Sequence, residues 1–86
     1  MRGAVYLAAL RALHLASLEI ISLPSRLFYL TRLTELNVSH NKLDQLPPQL
    51  GDLVRLRSLN VESNALARLP LELGRVVQLE ELRLAS

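Results

Sequence analysis

Leu33-Thr34-Glu35-Leu36-Asn37-Val38-Ser39-His40-Asn41-Lys42-Leu43-Asp44-Gln45-Leu46-Pro47-Pro48-Gln49-Leu50-Gly51-Asp52-Leu53-Val54-Arg55 is the stretch that decides the fold. Leu36 and Val38 alternate as a strand with one buried face does, which turns Glu35, Asn37 and Ser39 the other way. The alternation is short, so a strand of about three to five residues is expected. Leu46, Leu50 and Leu53 then follow at spacings of four and three, the spacing of one helical face. Pro47 and Pro48 sit at the start of that segment, so a short 3₁₀ or α turn is expected rather than a long helix. Gly51 suits a turn back toward the next strand.

The same pattern recurs outward from this unit every 23 residues. Leu10, Leu33, Leu56 and Leu79 share the step, as do Leu13, Leu36, Leu59 and Leu82, and Leu15, Val38, Val61 and Leu84. Pro24, Pro47 and Pro70 keep it too. Repetition at this many positions marks a solenoid. One unit offers about eight aliphatic side chains worth roughly 1.5–3 kcal/mol each on full burial. Ordering its residues costs on the order of 1.5 kcal/mol apiece, so a lone unit cannot hold itself together and must stack.

The expected architecture is therefore an α/β solenoid of about three and a half repeats within one domain, residues 1–86. Full repeats cover about 10–32, 33–55 and 56–78, with a partial repeat at 79–86 and an in-phase flank at 1–9. Short parallel strands would line the concave face and short helical turns the convex one. No polar cap is visible at either end, so a fragment of a longer array, or a chain that associates through its ends, is expected. Met1 to Ala16 also invites a signal-peptide or mitochondrial reading. Arg11 and His14 interrupt it, and Leu7, Leu10, Leu13 and Leu15 fit the repeat phase better.

These residues resemble the leucine-rich repeat family, in its intracellular 23-residue form, and within it the Ras-associated and polarity-type scaffolds. The resemblance implies an interaction module, standing alone or joined to a catalytic domain. Leu18 departs from the pattern where Asn41 and Asn64 stand, and Phe28 stands where Gly51 and Gly74 do. Asn41 and Asn64 are expected to form a buried ladder whose amides satisfy turn backbone. At the first turn that backbone must find other partners.

Composition narrows the function. Ten Lys plus Arg face eight Asp plus Glu, for a net charge of +2, and the arginines are scattered among acids. No basic stripe with interleaved aromatics exists, so nucleic-acid binding is not expected. No apolar run is long enough to span a bilayer. Cysteine is absent, which favours a reducing compartment and a cytoplasmic location, although an internal piece of a secreted array would lack it too.

Function is expected on the concave sheet, as the binding of a protein or peptide partner in signalling or scaffolding. The outward grid runs through Ala12, His14, Ala16 and Ser17, then Glu35, Asn37, Ser39 and His40, then Ser58, Asn60, Glu62 and Ser63, then Glu81, Arg83, Ala85 and Ser86. Glu35, Asn37, Ser39, His40, Ser58, Asn60, Glu62, Glu81 and Arg83 are the candidate contacts. The plainer reading of each is a solvated strand face. His14 and His40 occupy non-equivalent repeat positions, and no cluster has the makings of a metal centre or a catalytic triad. No catalytic residue, metal or cofactor is expected. The alternatives are a structural or oligomerising unit, and the regulatory segment of a larger enzyme.

Overall fold

The computed structural model describes residues 9–85. The flank assigned to residues 1–9 lies outside them except for Ala9, and so does Ser86. Four three-residue strands carry the repeat: β1 Ala12–His14, β2 Glu35–Asn37, β3 Ser58–Asn60 and β4 Glu81–Arg83. All pair in parallel, in the order β1-β2-β3-β4. Leu13, Leu36, Leu59 and Leu82 stand in one register row. Coils of equal length return the chain to the same height each time, so a sequence period becomes a spatial column.

Backbone pairing continues past the strands into the turns. Leu15 N–H donates to Asn37 O at 2.7 Å, Val38 N–H to Asn60 O at 2.9 Å and Val61 N–H to Arg83 O at 2.9 Å. His40 and Ser63 then take left-handed backbone, φ 55 and φ 53, and turn the chain away from the sheet.

The convex side is built from five-residue 3₁₀ turns at Ser25–Tyr29, Pro48–Asp52 and Leu71–Arg75. Pro24, Pro47 and Pro70 precede them in extended backbone. Each proline carbonyl accepts the first N–H of its turn, from Leu27, Leu50 and Leu73 at 3.1, 3.0 and 3.1 Å. Proline lacks a donor but keeps its acceptor, so it opens these tight i→i+3 turns without loss.

Between sheet and turns lies an aliphatic core. Its fully buried members are Leu33, Leu36, Val38, Leu43, Leu50, Leu53, Leu56, Leu59 and Val61, all from the middle of the chain. Leu10, Leu13, Leu15 and Leu23 on one side, and Leu66, Leu69, Leu73 and Leu79 on the other, are only partly buried against it. Phe28 is buried where the later repeats carry glycine.

Gly51 has a different role from the turn expected of it. No glycine among the described residues has positive φ. A Cβ on Gly51 would stand 2.5 Å from the Glu72 carbonyl oxygen, so Gly51 is there because the second and third 3₁₀ turns approach closely. Gly74 meets nothing within 4 Å.

Candidate functional site

β2 and β3 bury their central leucines, β1 half-buries Leu13 and β4 leaves Leu82 exposed, and each strand turns its two flanking side chains to the concave face. The register stacks these into two rows. One is Ala12, Glu35, Ser58 and Glu81; the other is His14, Asn37, Asn60 and Arg83. A shallow depression of about 250 Å³ lies over them, lined by Glu35, Asn37, Ser58, Asn60, Glu81 and Arg83.

The polar side chains of this face are tied to one another. Ser58 Oγ donates to Glu81 Oε1 at 3.1 Å. Arg83 lies 3.8 Å from Glu62 and 3.4 Å from Glu81. His14 Nε2 pairs with Glu35 Oε2, a partnership across β1 and β2 that sequence reasoning did not foresee. Exposed pairs of this kind contribute little to stability, so the carboxylates remain open to a competing partner. Three carboxylates (Glu35, Glu62 and Glu81) stand against one guanidinium, so the face is acidic on a chain of net charge +2.

Asn37 and Asn60 have a second task. Asn37 Oδ1 accepts the Ser39 N–H at 3.0 Å, and Asn60 Oδ1 accepts the Glu62 N–H at 3.0 Å. Both close Asx-type turns that end the strands. Both residues also line the concave depression.

Two of the candidate contacts need revision. Ser39 is only 4% exposed, because the strand has ended at Asn37 and the chain is already turning inward. It is a buried turn residue and not part of the concave face. His40 is exposed but sits on left-handed backbone at the turn, where its N–H donates to Glu62 O at 2.9 Å. It stands at the rim of the face.

Beneath the rim lies the asparagine ladder. Asn41 Oδ1 accepts the N–H groups of Leu18 and Ile20, each at 3.0 Å. Its Nδ2 donates to the carbonyls of Leu15, Val38 and Ser39 at 2.9, 2.9 and 3.1 Å. Asn64 repeats the scheme one coil later, accepting from Leu43 N–H at 3.0 Å and donating to Val38, Val61 and Glu62. Each amide thus sews its own turn to the preceding one. The departure at Leu18 has a visible cost: its side chain is 57% exposed, and Glu19 beside it takes φ 58.

Among the described residues, no group of three or more His, Asp or Glu could hold a metal ion. No helix among them is long and apolar enough to cross a membrane.

Comparison with known proteins agrees with this geometry. Residues 8–66 match the family described as leucine rich repeat. Among solved structures, the chain is similar to the LRR protein LIC12759 of Leptospira interrogans, with 34% identity and a TM-score of 0.92. That match covers 100% of this chain and 22% of the other, so the chain spans about a fifth of its relative's length. No curated protein matches. The chain belongs to the leucine-rich repeat family, whose domains serve in general as protein–protein interaction modules.

Proposed function

We propose that this leucine-rich repeat chain binds a protein or peptide partner across its concave sheet. The observation that carries the reading is the pair of polar rows over β1–β4, acidic on a basic chain and bordered by a firm ladder. A sheet stiffened from below holds its surface side chains at fixed spacing, which lowers the ordering cost of binding. A cytoplasmic signalling or scaffolding role is part of the proposal, and subcellular fractionation of the native protein tests its location.

The test of the surface is partner capture with the wild type and with a Glu35→Arg/Glu62→Arg variant shown by circular dichroism to stay folded. A partner held by the first and lost by the second supports the concave site. Equal retention by both contradicts it. An oligomerising unit is the second reading, supported by Leu84, which is exposed beside the half-buried Leu66 and Leu69, and by Leu82, exposed on β4. Self-capture that survives the charge reversal but fails on Leu82→Asp would favour it.

A further inference from the structure

The concave depression has an acceptor side and a donor side, and this asymmetry defines the ligand it fits. Resting on the concave-face reading above, we propose that it takes an extended peptide segment carrying a lysine or arginine. The basic side chain lies between Glu35 and Glu81. A main-chain carbonyl of the same segment is received by the amides of Asn37 and Asn60.

Consider the donor side first. Oδ1 of both asparagines is committed to the Ser39 and Glu62 N–H groups, and both residues line the concave depression. Among the described residues neither Nδ2 has a hydrogen-bond partner. Asn37 and Asn60 are register partners on adjacent strands, so their Cα atoms stand about 4.8 Å apart. Two amide donors on neighbouring strands at that spacing can converge on the two lone pairs of one carbonyl oxygen. The pair is therefore a receptor for one carbonyl, not for a donor.

The acceptor side lies one row away. Glu35 and Glu81 flank Ser58, two strand spacings or roughly 10 Å apart. Ser58 gives its hydroxyl to Glu81 Oε1, Arg83 lies 3.4 Å from Glu81 Oε2 and His14 pairs with Glu35 Oε2; these exposed pairs are weak, so an incoming cation competes with them for the carboxylates. An ammonium with three donors, or a guanidinium with five, can take the place of His14 at Glu35 or of Arg83 at Glu81. An anionic ligand would gain Arg83 but meet Glu35, Glu62 and Glu81, and the balance is against it.

The test offers the immobilised full chain three pools of acetylated, amidated hexapeptides, random except for lysine, glutamate or norleucine fixed at the third position. The wild type is expected to retain the lysine pool about tenfold above the glutamate pool, with norleucine between. Glu35→Gln/Glu81→Gln should bring the pools within about twofold of one another. Asn37→Asp/Asn60→Asp keeps an oxygen for the Ser39 and Glu62 N–H groups but replaces both free donors. It should hold its fold by circular dichroism and lose retention, although its added charge attracts a cation.

Preference for glutamate, equal retention of all pools, or no retention of any would overturn the proposal. So would an aspartate variant that binds lysine peptides as well as the wild type. These failures differ from that of the concave reading, which falls if the Glu35→Arg/Glu62→Arg variant keeps its captured partner.

Discussion

Asn41 Oδ1 accepts the backbone N–H of Leu18 at 3.0 Å, and the two residues occupy the same position in consecutive repeats. The asparagine of one coil thus serves the turn in which the preceding coil has none. Asn41 accepts from two backbone groups of that turn, whereas Asn64 accepts from one of its neighbour's. The ladder therefore bears unequally on its two members.

Asn41→Ala should cost about 1–3 kcal/mol, because it strands buried donors and acceptors in two turns. Asn64→Ala, half-buried and with one fewer bond, should cost less. Lys42→Ala should stay within about 0.5 kcal/mol. Urea denaturation ranks the three, and equal effects at Asn41 and Lys42 would contradict the ladder.

The first turn makes a second prediction at Glu19. Its φ of 58 strains a side-chain-bearing residue by roughly 1–2 kcal/mol, whereas the equivalent Lys42 has no positive φ. Glu19→Gly should be neutral or stabilising, and Lys42→Gly should cost about 0.5–1 kcal/mol. Thermal melts of both variants check the sign.

The two glycines should part company on substitution. Gly51→Ala places a methyl against the Glu72 carbonyl and should destabilise by about 1–3 kcal/mol. Gly74→Ala meets open space and should be neutral or gain up to about 1 kcal/mol by restricting the unfolded chain. Paired denaturation curves decide, and a mild effect at Gly51 would contradict the close approach of the two 3₁₀ turns.

Core burial grades along the solenoid, so equivalent leucines should not be equivalent in energy. Leu59→Ala in β3 removes a fully buried side chain and should cost about 2–5 kcal/mol. Leu82→Ala in β4, at a site 37% exposed, should cost clearly less. Similar losses at both would mean that the Leu82 side chain is covered in solution.

The period carried most of this architecture on its face. Because coils of equal length stack in register, the step from Leu13 to Leu36 to Leu59 to Leu82 reads directly as four paired strands. The prolines announced the convex turns, although their part is to lend a carbonyl from the residue before the turn. What sequence could not show was where alternation stops. Ser39 reads as the next outward residue after Asn37, but a three-residue strand ends there and an Asx turn takes Ser39 inside. Gly51 was equally opaque, since its reason lies in Glu72, on the next coil. The pairing of His14 with Glu35 likewise appears only once the strands are placed side by side.

The concave reading is tested most directly by amide chemical-shift mapping of the labelled chain as its captured partner is added. Perturbations should concentrate at residues 35–37, 58–62 and 81–83, including the Asn37 and Asn60 side-chain amides. Shifts confined to the convex Leu71, 94% exposed, and to Val77 or Leu84 would contradict the account and move the interface off the sheet.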